Sequence, residues 1–154
     1  MDDERRAVTY ALKILAGRDH SEAELRRKLA VKGFPDMTAE RVIDKLRQSG
    51  YLDDERFALT WAESAIRNGR GYGCRLKADL SRRGVAEDVI AHALQRLEAE
   101  HEESAVLSDL MARKFAGFDF RQTDDRQKRR VISYFQRRGF SLAAILKILR
   151  GPAE

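Results

Sequence analysis

Three stretches of the chain hold residue types that could support chemistry, provided their spacing meets what that chemistry needs. Gly69, Gly71 and Gly73, set in RNGRGYG, superficially resemble a phosphate-cradling loop. Such a loop requires a strand before it and either the GxGxxG spacing or a closing Lys-Ser or Lys-Thr, and none of these is present. Nucleotide binding is rejected, and the bare backbone beside Arg67 and Arg70 reads as a flexible connection that lets a partner approach closely. Asp53, Asp54 and Glu55 offer three carboxylates, but consecutive residues do not share one helical face, and no acid or histidine stands at a useful offset. They read as the capped, acidic start of a helix. His20, His92 and His101 lack ligand spacing and Cys74 lacks an activating dyad. The sequence predicts no catalytic group, no metal and no cofactor, so not an enzyme.

What remains is charge. The net charge of +5 and a pI near 9.6 suggest a polyanionic partner. Residues 1–52 carry 11 basic and 9 acidic side chains, 53–100 carry 8 and 9, and 101–154 carry 11 and 7. Within the middle third, the stretch from Arg67 to Arg83 holds six basic residues against Asp79. Arg75 and Arg82 are seven residues apart, as are Arg130 and Arg137, so each pair lies on one face of its helix. These four form a candidate contact ridge for protein or nucleic acid, which Arg70, Lys77, Arg126 and Arg129 extend. Tyr72, beside the arginines, is the one aromatic considered for stacking on a base or a protein surface, with packing back against Leu76 as the alternative.

The elements that must position this ridge repeat. Leu25, Leu29 and Gly33-Phe34 are followed by Leu76, Leu80 and Gly84-Val85, then by Val131, Phe135 and Gly139-Phe140, with 51 and 55 residues between the glycines. Gly33, Gly84 and Gly139 are expected to end helices in the left-handed conformation. The residue before each, Lys32, Arg83 and Arg138, suits a helix C-terminus. Ser21 and Glu24 form a capping-box pair, and Asp53 or Asp54 caps the helix carrying Phe57, Trp61 and Ala65, with Asp53 assigned. Val8, Leu12 and Leu15 mark a first amphipathic helix, Thr38 and Ser141 are further cap candidates, and Gly151-Pro152 closes the last helix. Counted from the glycines, Ala39 and Ile43 match Ile90 and Leu94 and then Ile145 and Leu149. No alternating strand pattern occurs. The prediction is an all-α protein of nine helices in three tandem three-helix repeats, 1–52, 53–100 and 101–154, stacked into an elongated, curved body. With no apolar export segment and no tract long enough to span a bilayer, a cytoplasmic location without membrane contact is expected.

The stretches KILAGRDHSEAELRRKLAVKGF, GYLDDERFA and NGRGYGCRLKADLSRRGV together resemble successive signatures of the bacterial RecX family, and the basic helix ending RRGF extends the likeness to the third unit. The resemblance implies a helical-repeat modulator of the recombinase RecA. Such a protein docks on RecA filaments on single-stranded DNA and suppresses ATP hydrolysis and strand exchange, as a monomer with at most weak nonspecific DNA contact. The competing reading is a direct DNA-binding regulator whose helix pairs act as helix-turn-helix units.

Overall fold

The computed structural model describes residues 2–151, so Pro152 lies outside the described residues. Among them there are nine helices and no strand: α1 (Asp2–Gly17), α2 (Glu22–Lys32), α3 (Asp36–Gln48), α4 (Asp54–Arg67), α5 (Gly73–Arg82), α6 (Glu87–Glu100), α7 (Glu103–Lys114), α8 (Asp125–Arg137) and α9 (Leu142–Arg150). The expected all-α repeat is what forms. The accessible surface is 10087 Å², against about 7,900 Å² from the usual mass scaling for a compact chain of this size. The excess is that of an elongated stack.

Local chemistry sets the helix ends. The Ser21 hydroxyl accepts from the Glu24 amide at 3.1 Å while the Glu24 carboxylate accepts from the Ser21 amide at 3.2 Å, a complete capping box. Asp53 caps α4 by accepting from the Arg56 amide, and Ser141 caps α9 through the Ala144 amide. Gly33, Gly84 and Gly139 have φ of 101°, 81° and 96°, as their place after α2, α5 and α8 demands. Thr38 is not a cap: α3 starts at Asp36 with Pro35 before it, the proline ring supplying a φ of −59°.

The aligned pairs Ala39 and Ile43, Ile90 and Leu94, Ile145 and Leu149 are all buried. One apolar cluster, from Ala7 to Leu52, belongs to the first unit. A second, from Phe57 to Leu149, runs without a break through the other two. In α1 the expected stripe is displaced. Ala7 and Ala11 are fully buried, Val8 and Leu15 are partly covered and Leu12 is 37% exposed, because α1 lies on α3 along its small residues.

Candidate functional site

The same junction is built twice, and it is built on the residues flanking the repeat glycines. At the first junction the start of α2 docks on the end of α5. The Ser21 hydroxyl donates to the Arg83 carbonyl at 2.5 Å, and the Arg83 guanidinium reaches the Glu24 carboxylate at 3.1 Å while lying 4.9 Å over the Trp61 ring. Gly84 is in close contact with Ala23: a Cβ on the glycine would overlap the alanine's. The Glu22 amide donates to Asp54 at 2.9 Å. Burial pushes the Asp54 carboxyl upward against that hydrogen bond. For Glu24, burial also works upward, but hydrogen bonds from Arg18 and the Ser21 amide, with the charges of Arg18 and Arg83, outweigh it and hold the carboxyl below its ordinary value.

At the second junction the start of α5 docks on the end of α8. The Tyr72 amide donates to the Arg138 carbonyl at 2.8 Å, Arg75 donates to the Arg137 carbonyl at 3.1 Å, and Arg138 donates to the Gly69 carbonyl at 3.2 Å. Arg138 also lies 3.6 Å over the Tyr134 ring. Tyr72 is only 4% exposed, stacks on Phe140 at 5.4 Å and donates its hydroxyl to the His101 carbonyl. Burial, first, and the nearby Glu98, Glu103 and Glu102 push its phenol up to about 12. Tyr72 is therefore no free stacking platform: its ring closes the core between two units. The glycine-rich loop positions that ring, with Gly69 against Leu110 and Gly73 against the Gly139 carbonyl.

All eight arginine and lysine ridge candidates are exposed, but they are not alike. Asp79 pairs with both Arg75 (3.1 Å) and Arg82, Lys77 lies 3.9 Å from Glu87, and Arg70 donates to the Ser64 hydroxyl. Arg75, moreover, is tied across the junction. On α8, Arg126, Arg129, Arg130 and Arg137 form no ion pair among the described residues. Asp79 has no counterpart there, since the glycine alignment places Tyr134 at its position. Thus Arg75, Lys77 and Arg82 of unit two have carboxylate partners, while Arg70 and the four arginines of α8 form no ion pair among the described residues.

Arg83 and Arg138 do more than complement a helix end, and here the sequence reading fell short. Each fastens its unit to the preceding one. A signal existed for Arg83 alone: Trp61 stands 23 residues before Gly84, as Tyr10 does before Gly33, whereas the matching position in the third unit is Ala116 and Arg138 lies over Tyr134 instead. Among the described residues no group of His, Cys, Asp and Glu could hold a metal ion, and no helix is long and apolar enough to cross a membrane.

Comparison with known proteins agrees with this architecture. A family model described as the first three-helix domain of RecX matches residues 7–46, and one described as the second three-helix domain matches residues 53–94. Curated relatives named regulatory protein RecX include one from Syntrophotalea carbinolica, 39% identical over 92% of this chain and 92% of its own length. Another, from Trichlorobacter lovleyi, is 40% identical over 84% of each chain. A crystal structure of RecX from Lactobacillus salivarius shares the fold with a TM-score of 0.76 at 18% identity, covering 97% of this chain and 96% of that one. A further regulatory protein RecX structure gives 0.78 at 21%, over 97% and 73%. The tandem three-helix units, the domain matches and relatives of this closeness over nearly the full length place the chain in the RecX family of regulatory proteins.

Proposed function

We propose that this protein modulates RecA: it docks as a cytoplasmic monomer on RecA filaments assembled on single-stranded DNA and lowers their ATP hydrolysis and strand exchange, with no chemistry of its own. The observation that carries the site is the unpaired basic face of α8. Arg126, Arg130 and Arg137 recur at offsets of four and seven with Arg129 beside them, and none forms an ion pair among the described residues, although Asp124 and Asp125 open the helix. Arg75, Arg82 and Lys77, paired with Asp79 and Glu87, act as a weaker extension together with Arg70, which is engaged by the Ser64 hydroxyl. The three units, 1–52, 53–100 and 101–154, act as one elongated body that spans neighbouring filament subunits, so several weak contacts add through high effective concentration. A body wedged there resists the subunit motions that hydrolysis and strand exchange need.

Direct reading of duplex DNA has less support. The third helices of two units, α3 and α6, which would be the reading helices of the pairs α2–α3 and α5–α6, begin with Asp36 and with Glu87 and Asp88, carboxylates placed where a reading helix would meet phosphates and base edges. The test is RecA-dependent ATP hydrolysis on single-stranded DNA titrated with this protein. Wild type inhibits; a variant with Arg126, Arg129, Arg130 and Arg137 changed to Glu loses inhibition, and one with only Arg75 and Arg82 changed loses less. No inhibition by wild type removes the function, and full inhibition by the fourfold variant removes the site. Binding to naked duplex is weak and sequence-blind, falling steeply with salt; tight, sequence-dependent binding would favour the duplex reader instead.

A further inference from the structure

The first unit carries the same docking constellation as the other two, and in it nothing is docked. In unit two a basic side chain over an aromatic ring, beside a left-handed glycine, receives the start of α2: Arg83 over Trp61, with Gly84 against Ala23. In unit three Arg138 over Tyr134, with Gly139 against the Tyr72 carbonyl, receives the start of α5. In unit one Lys32 lies 5.3 Å over Tyr10 beside Gly33, whose φ of 101° matches the others, but no atom lies within 4 Å of where a Cβ would stand. The seat opens into a hollow of about 390 Å³ walled by Arg5, Arg6, Tyr10, Lys13, Lys32 and Phe34. No carboxylate lines it among the described residues. Arg6 pairs with Asp3 at 3.6 Å, while Arg5, Lys13 and Lys32 form no ion pair among the described residues.

We propose that this end face docks the first turn of an α-helix from another protein, one that carries a hydroxyl cap, a small residue at the second helical position and a carboxylate at the third. The specification comes from the occupant of the equivalent seat. Ser21 supplies the hydroxyl to the Arg83 carbonyl, Ala23 packs on the glycine, and Glu24 meets the basic side chain. Four cations around the open seat raise the demand for acid. Val31, 83% exposed, stands where Arg82 and Arg137 stand in the other units, so the cation those units carry there is missing from this end.

A second copy of the chain does not fit. The free helix start at the far end of the array is that of α8. Aligned on the repeat glycines, the helix starts Glu22 and Gly73 correspond to Lys128, yet α8 begins three residues earlier at Asp125, so an extra turn occupies the space a docked start must leave open. The residue matching Glu24 there is Arg130, which would face Arg5, Arg6, Lys13 and Lys32. Like charge at both ends opposes head-to-tail growth.

The test uses the full-length protein and a fluorescein-labelled, lactam-bridged helical peptide with the sequence of residues 18–32, read by anisotropy. Wild type binds it with a Kd below about 1 mM. Lys32→Glu weakens binding by about tenfold or more, and so does Gly33→Asn, because asparagine tolerates the left-handed backbone but puts a side chain into the seat. Circular dichroism of both variants shows the wild-type helical content and a Tm within a few degrees. The same peptide with Arg in place of its second Glu does not bind. Absence of wild-type binding, equal binding of the Arg peptide or of an unbridged scrambled peptide of the same charge, or indifference to Lys32→Glu and Gly33→Asn would each overturn the proposal. So would sedimentation equilibrium showing self-association that Lys32→Glu disperses, since the face would then be a self-contact.

Discussion

Gly33 and Gly139 have nearly the same backbone, φ of 101° and 96°, and opposite surroundings, which makes Gly33→Ala and Gly139→Ala a matched pair. At Gly33 the new methyl group meets open space, so the cost is the left-handed strain alone, about 1–2 kcal/mol. At Gly139 the same strain applies, and in addition the methyl overlaps the Tyr72 carbonyl oxygen and comes within 2.8 Å of the Arg75 backbone nitrogen. Those are backbone atoms of α5's first turn, and they cannot rotate away. Relief requires the two units to part, at the expense of the Tyr72 amide to Arg138 carbonyl bond and the Tyr72–Phe140 stack. Overpacking of that kind adds about 1–3 kcal/mol. In urea, at a slope of about 2 kcal/mol/M, the extra term lowers the Gly139→Ala midpoint by about 0.5–1.5 M relative to Gly33→Ala. The assay is equilibrium unfolding by far-ultraviolet circular dichroism for both variants in one buffer. Midpoints that coincide to within about 0.2 M would mean that the glycine is not a junction residue, and the account of how units dock would fall with it.

Tyr134 buries its hydroxyl with no hydrogen-bond partner among the described residues, while its ring sits edge-on to Phe115 and Phe135 and beneath Arg138. Tyr134→Phe keeps the ring and removes the unpaired group, so thermal unfolding is expected at the wild-type temperature or above it, with a gain of up to about 1 kcal/mol; a clear loss would show that the hydroxyl is satisfied in solution. Tyr72→Phe gives up the bond to the His101 carbonyl and costs about 1 kcal/mol, whereas Tyr72→Ala, which empties the stack on Phe140, costs about 3–5 kcal/mol by urea titration. His20 is buried beside the first junction, and burial holds its imidazole below the ordinary value, against the hydrogen bond to the Arg18 carbonyl. Above the ordinary value near 6.5 it is neutral in both states and contributes no pH dependence. As pH falls through that value the unfolded chain takes up the proton before the folded one does, so stability drops as the pH is lowered further, and His20→Gln flattens this segment of the stability profile.

Much of the fold was legible because the repeat glycines fixed a register that buried residues had to obey. Leu25 and Leu29, Leu76 and Leu80, Val131 and Phe135 are all in the core, and the caps at Ser21, Asp53 and Ser141 follow from short-range hydrogen-bond chemistry. What could not be read was which face of α1 turns inward. Leu12 outranks Ala11 in hydrophobicity, but close approach to α3 selects the small side chain, and that preference is set by a helix more than twenty residues away. Tyr72 escaped for a related reason. Its partner Phe140 lies 68 positions on, in another unit, and nothing local to RGYG distinguishes a ring that stacks on a base from one that closes a core.

The arginines show how one repeated position acquires different work along the array. Arg75 and Arg130 occupy the same register, yet Arg75 is bonded to the Arg137 carbonyl because the third unit lies against it, whereas Arg130 makes no such bond among the described residues. Asp79 neutralises the ridge in unit two; Tyr134 stands at its place in unit three and supports Arg138 instead. At the opposite end Lys32 lies over Tyr10 as Arg83 lies over Trp61, with no carboxylate paired to it among the described residues. Side chains at the register that fastens units together inside the stack have, at its two ends, no junction partner among the described residues. A three-unit array thus presents basic surface at both ends from a single repeat pattern, and the middle unit, joined on both sides, contributes mainly the rigid spacing between them.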